Sequence, residues 1–187
     1  MDKRAFFCYD WGWKVMKMEL RFEELFKGDS ARIGEMSRLA SAIVKEYYDP
    51  LLGAEQNDYM VAMFQSAESI AEQLGENKRY FFVQYGGEDV GFFCFYPHDD
   101  AMYLSKLYLR RDMRGKGFSR KIIEFIKGES KKAELSAIEL NVNKENVSKY
   151  IYEKLGFVCV RSEKNDIGNG YFMDDYVYAL DTKDWQP

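Results

Sequence analysis

The chain has 187 residues, 47% hydrophobic and 17% aromatic, with 14 Gly and only 3 Pro, which describes one ordinary globular domain and excludes collagenous and intrinsically disordered classes. Its net charge of −4 argues against a general nucleic-acid coat or a polybasic membrane binder. Cys8, Cys94 and Cys159 are far apart and His98 is the single histidine, so no even disulfide framework, CxxC pair or multi-histidine metal site is expected, and a reducing cytoplasm is the simplest setting. No stretch approaches the roughly 20 apolar residues of a membrane span. Residues 1–17 start basic, but Asp10 and Lys14 interrupt the apolar run needed by a secretion signal. With Met16 and Met18 just ahead of the first alternating segment, 1–17 reads as an upstream extension, 18–181 as one domain and 182–187 as a tail.

In chain order, 19–25 alternates as a first strand, and Gly28, Asp29 and Ser30 supply a turn and an N-cap. Ile33, Met36, Leu39, Ala40, Ile43, Val44 and Tyr47 then recur at helical spacing, predicting a helix that stops before Asp49-Pro50. A second helical region covers 54–74, breaks near Ser66 and ends at Gly75. Strands at 79–85, 90–96 and 101–109, separated by tight turns at 86–89 and 97–100, form a meander. His98 falls in the second turn, which reads as surface rather than as part of a hydrolase triad. Phe118, Ile122, Ile123, Phe125 and Ile126 mark a further helix, 137–142 a strand, and 147–155 a helix closed by Gly156. Strands at 157–161 and 171–180 flank a loop at 164–170. The order β-αα-βββ-α-β-α-ββ predicts an α/β (α+β) domain with one mixed sheet.

The segment from Arg110 to Lys121 joins a strand to a helix through Gly115 and Gly117. Such glycines let the backbone approach a ligand, and the helix start offers free N–H groups to an anion. Six basic residues (Arg110, Arg111, Arg114, Lys116, Arg120, Lys121) face one acid (Asp112) here, a net +5 that leaves −9 for the rest of a chain totalling −4. A polyanion cradle and a solvated basic loop both fit this pattern, and spacing alone leaves the two open.

The run Arg114-Gly115-Lys116-Gly117-Phe118-Ser119 resembles the acetyl-CoA loop of the GNAT superfamily of N-acetyltransferases, with Ser119 where the family has Gly or Ala. A second family motif is matched by Asn146 followed by Tyr152-Glu153-Lys154-Leu155-Gly156-Phe157. The resemblance covers 18–181 and implies the GNAT fold, with acetyl-CoA as co-substrate and no metal. Glu55–Met60, Phe64–Ser66, Leu104–Tyr108 and Ile167–Val177 further resemble the PaiA-type spermidine/spermine acetyltransferases.

By that resemblance the chain transfers an acetyl group from acetyl-CoA to a primary amine, a polyamine in the PaiA-type branch. Leu107, Tyr108 and Leu109 would hold the thioester arm through their backbone, and Arg114, Gly115, Lys116, Gly117, Phe118, Ser119 and Arg120 would hold the pyrophosphate. Asn146 and Asn143 would bond the pantetheine or its waters, and Tyr152 would protonate the departing thiolate. Tyr47, Tyr48, Tyr59, Asp174 and Asp175 are candidates for the amine pocket, since carboxylates and aromatic faces suit a cationic amine. The general base is unassigned. Alternative acceptors are peptide or protein N-termini, amino acids and other small amines, and the alternative to an enzyme is a non-catalytic acyl-CoA-binding module. The partner is a small-molecule amine rather than nucleic acid or membrane, and the aromatic surplus and the frequency of dimers in the family point to a homodimer.

Overall fold

The computed structural model describes residues 18–186, so Cys8 and the expected extension over 1–17 lie outside the described residues. A first strand, β1 (Leu20–Leu25), leads into three helices, α1 (Ser30–Leu52), α2 (Ala54–Gln65) and α3 (Ala67–Gly75). The meander follows as β2 (Arg79–Tyr85), β3 (Glu88–His98) and β4 (Ala101–Leu109). A 3-10 turn at Arg111–Met113 precedes α4 (Phe118–Lys132), β5 (Ala137–Asn143), α5 (Lys149–Lys154), β6 (Val158–Gly168) and β7 (Tyr171–Asp181). All seven strands share one mixed sheet in the order β1-β2-β3-β4-β5-β7-β6, antiparallel except for the parallel pair β4 and β5.

Local chemistry explains most boundaries. Asp29 caps α1 by accepting from Arg32 N at 3.1 Å, and Ser66 separates α2 from α3 by accepting from Ser69 N at 3.1 Å. The expected stop of α1 before Asp49-Pro50 is corrected: the helix runs on to Leu52. Proline in the last turn forfeits one backbone bond, and Gly53 (φ 85°) closes the end by donating its N–H to Asp49 O at 3.1 Å. A second correction concerns the expected loop at 164–170, where β6 stays paired with β7 as far as Gly168 opposite Tyr171. Asn169 (φ 56°) and Gly170 (φ 79°) make the two-residue turn.

The centre of the sheet is buried on both faces, whereas the edge strand β6 is mostly exposed. Along β2, Tyr80 and Phe82 pack with Met36, Ile43 and Ile70 beneath α1 and α3, while Phe81 and Val83 pack with Ile122 and Ile126 of α4. Phe81 lies parallel to Phe93 (centroids 5.0 Å apart) and Phe95 (5.5 Å), and Phe125 meets all three edge-on. At the C-terminal end, the Trp185 indole donates to Glu124 Oε2 at 2.8 Å, which holds that segment against α4. Among the described residues no helix is long and apolar enough to cross a membrane.

Two irregularities of β4 shape the site. Its register with β3 shifts between the pairs Leu104–Phe95 and Lys106–Cys94, so Ser105 is an extra residue, a β-bulge. Its parallel pairing with β5 is confined to Met102 with Ile138 and Tyr103 with Glu139. Beyond Tyr103 the bulge bends β4 away, the two strands part, and the backbone groups of β4 that face β5 have no ladder partner.

Candidate active site

Three chambers follow this split in a continuous line. The first, about 100 Å³, lies at the glycine loop and is lined by Leu107, Leu109, Arg114, Gly115, Ser119 and Tyr152. A second of about 100 Å³ sits in the split and shares Leu107, Leu109, Arg114, Ser148 and Tyr152 with the first. The third and largest, about 430 Å³, opens between the sheet and the helices α1 to α3, and shares Tyr48, Ser105, Tyr108 and Asn141 with the second.

At the loop end, Gly115 (φ 76°) and Gly117 (φ 80°) occupy the left-handed region, with no atom within 4 Å of where a Cβ would stand. Gly117 starts the 15-residue α4 and no side chain caps it, so the first N–H groups of that helix are left for a ligand. The basic excess is partly neutralised in place: Arg110 pairs with Glu88 and Asp112 at 2.9 and 2.8 Å. Arg114 is anchored by a bond from Nε to Leu109 O (2.9 Å), by Glu46 at 3.5 Å and by the Tyr47 ring at 5.3 Å. Arg111, Lys116, Arg120 and Lys121 make no ion pair among the described residues and supply the field for an anion. Lys116, Gly117, Phe118 and Arg120 do not line the chambers; the Phe118 side chain is buried in the core against Tyr85.

The middle chamber is built around tyrosines. Asn146 is buried, accepts from Tyr47 OH at 2.7 Å through Oδ1 and donates through Nδ2 to Tyr48 OH at 2.9 Å, so its amide braces α1 against the segment ahead of α5. Tyr152 packs edge-on against Phe157, and its hydroxyl has no hydrogen-bond partner among the described residues. Burial raises its pKa well above the usual tyrosine value, with Tyr48 and Tyr47 adding to the effect, so Tyr152 stays protonated at neutral pH. Burial likewise pushes Tyr48 up to about 12.

In the largest chamber the strand period of two separates the neighbouring aspartates. Asp175 points in with Met173 and is 2% exposed, whereas Asp174 points away and pairs with Lys144 at 2.5 Å. Burial pushes the Asp175 carboxyl up to about 6; Asn141 opposes the shift by hydrogen bonding, and Asp174 and Glu163 reinforce it. Asn143, paired with Asp175 across β5 and β7, lines the same chamber. Tyr59 lies outside it, donating to Ile167 O at 2.7 Å and packing on Tyr171, where it braces α2 against the β6–β7 turn.

Lys106, which the sequence reading passed over, is buried in this chamber at 6% exposure. The bulge puts it there: Met102 and Leu104 face the α4 side, and strict alternation would send Lys106 with them, but the extra residue returns it to the face of Cys94 and Tyr108. Lys106 Nζ donates to Gln73 Oε1 at 2.7 Å and lies 5.2 Å from the Tyr80 ring centroid. Burial pushes its ammonium down to about 8, Cys94 opposing and Lys78 adding to the shift. No cluster of metal ligands occurs among the described residues.

An open glycine cradle at a helix start, leading through a strand split to a tyrosine-lined chamber and an acidic cavity, fits an elongated polyanion meeting a smaller acceptor. The chain matches the profile of the acetyltransferase (GNAT) domain over residues 49–172, about two thirds of its length, and it belongs to that family. No curated protein sequence matches it. Among solved structures it resembles a PaiA N-acetyltransferase from Thermoplasma acidophilum in complex with coenzyme A (16% identity, 88% of this chain and 99% of that one, TM-score 0.71). A GCN5-related N-acetyltransferase from Rhodopseudomonas palustris is similar at 14% identity (88% and 97%, TM-score 0.71). An acetyl-CoA-bound GNAT acetyltransferase from Elizabethkingia anophelis is similar at 14% identity (87% and 97%, TM-score 0.59). The fold is the GNAT acyltransferase fold, and acetyl-CoA is the co-substrate of an N-acetyltransferase of this class.

Proposed function

We propose that the chain transfers the acetyl group of acetyl-CoA to a small primary amine held in the largest chamber. The observation that carries this reading is the parting of β4 and β5 after Tyr103, which joins the glycine cradle to the cavity of Asp175 through one continuous cleft. Acetyl-CoA supplies an activated thioester carbonyl. The N–H groups of Gly115, Gly117, Phe118 and Ser119 hold its pyrophosphate, with Lys116 and Arg120 adding charge. Unpaired backbone groups of Leu107 to Leu109 take the arm and the developing oxyanion. Tyr152, protonated and free at its hydroxyl, gives its proton to the leaving thiolate.

Asp175 fills the role of base that the sequence left open: a buried carboxylate with a pKa near 6 is ionised at neutral pH and accepts a proton from an incoming ammonium more readily than an ordinary aspartate does. A polyamine acceptor is supported by the PaiA-type motifs and by Glu72, Glu76 and Asp175 in the chamber lining. Lys106 in the same lining opposes a polycation. The test is CoA release from acetyl-CoA with a panel of primary amines. Tyr152→Phe is expected to lower kcat by about 10²-fold while acetyl-CoA affinity stays within about twofold. Unchanged kcat in that variant would remove the acid role, and acetyl-CoA binding without turnover of any amine would favour the non-catalytic alternative.

A further inference from the structure

Resting on the acetyltransferase reading, we infer that the acceptor is an amine that also carries an anionic group, a carboxylate in the simplest case, and that Lys106 binds that group. Lys106 is a buried cation with no carboxylate partner among the described residues. Of its three ammonium donors one is spent, on the neutral amide oxygen of Gln73. That amide is fixed independently, since Gln73 Oε1 also accepts from Tyr80 OH at 2.8 Å and Nε2 donates to Ser69 Oγ at 2.9 Å and Phe64 O at 3.3 Å. The network therefore does not need a cation to complete it. Lys78, whose charge acts on Lys106, is itself paired with Glu76 at 2.9 Å, and no ion pair balances Lys106 among the described residues. An isolated buried charge is costly, and an anion arriving in the chamber removes the imbalance.

The other end of the acceptor is placed by the sheet. Asp175 on β7 and Lys106 on β4 line the same cavity with β5 between them, so their backbones stand at least two strand spacings, about 10 Å, apart and their side chains reach into the space between. A molecule with its amine at the carboxylate and its anion at the ammonium is matched in charge at both ends. A diamine or polyamine of that length sets a positive charge against Lys106 instead. The chamber's bipolar lining selects a zwitterion, with the amine and the acid separated by several methylene groups or by a peptide unit.

The test compares three primary amines of similar length, 5-aminopentanoate, pentylamine and 1,5-diaminopentane, in CoA release by the full chain. The wild-type protein is expected to prefer 5-aminopentanoate in kcat/KM by at least about tenfold over both others. Lys106→Met should abolish that preference, mainly by raising KM for the carboxylate-bearing amine, and Lys106→Arg should retain it. Equal or better turnover of pentylamine or 1,5-diaminopentane by the wild-type protein overturns the inference whether or not either variant folds, as does an equal loss on all three amines in Lys106→Met. If acetyl-CoA binds and no amine reacts, the acetyltransferase reading fails by itself. Calorimetric titration of 5-aminopentanoate into the CoA-bound protein then decides the inference separately: binding to wild type and not to Lys106→Met upholds it, and binding to neither overturns it.

Discussion

Asp175 is a carboxylate kept where the fold would be more stable without its charge. Its folded pKa of about 6 lies above the ordinary 3.8, so between pH 4 and 6 the folded state binds more protons than the unfolded one, and stability falls as pH rises through that window. The penalty is fully present at pH 7.5 and absent below pH 4. Asp175→Asn is accordingly expected to raise stability by about 1–2 kcal/mol at pH 7.5 and to leave it unchanged near pH 4, as thermal melts at the two values would report. The same substitution should lower kcat/KM by about 10²-fold or more and erase an acidic limb with a midpoint near pH 6. A destabilised variant at pH 7.5, or an intact acidic limb, contradicts this account. At this scale the sequence singles out Tyr152 and the loop glycines as candidates because their motifs are contiguous. It did not separate Asp174 from Asp175, whose difference rests on strand register, and it hid Lys106, whose direction depends on a bulge at Ser105 that has no compositional mark.

At the level of elements, Gly91 on β3 holds β4 in position. A Cβ there would lie 2.4 Å from Tyr108 O, 2.7 Å from Leu109 Cδ2 and 3.1 Å from Leu109 Cα, and two of these three are backbone atoms that cannot swing aside. Gly91→Ala must push β4 outward just where its backbone lines the strand split. We expect a loss of about 2–3 kcal/mol and, for a domain of this size, a melting temperature lower by about 4–12 °C. Catalytic efficiency should fall as well, since Tyr108 and Leu109 move with the strand; a variant with wild-type melting and turnover would mean that β3 and β4 are looser than described. Most elements were legible because period and punctuation agreed, as with the Asp29 cap, the Ser66 break and the Gly86-Gly87 turn. The larger departures are at two boundaries, where a local rule carries more or less weight than its context allows, and β3 also extends into both expected turns, from Glu88 to His98, so His98 pairs with Ala101. Pro50 is tolerated inside the last turn of α1, and Asn169-Gly170, both at positive φ, closes a hairpin within 164–170, where polar composition alone reads as a loop.

Over the whole molecule the sheet consists of two ladders, β1 to β4 and β5 with β7 and β6, joined by two residue pairs between β4 and β5. They are also tied by the shared core under α4, where Phe118, Ile122 and Ile126 meet Ile138, Leu140 and Val142, and by the bonds of Tyr47 and Tyr48 with Asn146 and of Tyr59 with Ile167. A ligand lying in the split touches both ladders and adds contacts where the backbone provides fewest. Acetyl-CoA binding only the folded state should therefore stabilise the entire cooperative unit, by about 2.7 kcal/mol at one hundred times its Kd. For a chain of 187 residues that corresponds to a rise in melting temperature of about 5–10 °C. The cations around the cradle are exposed, so the shift at a fixed ligand concentration should shrink as salt is raised and affinity falls. Asp175 lines the largest chamber and neither of the two smaller ones, so Asp175→Asn should keep the full acetyl-CoA shift while losing turnover. No shift in the wild-type protein would contradict acetyl-CoA binding in the cleft, and its disappearance in Asp175→Asn would mean that the cofactor end of the cleft depends on the acceptor end.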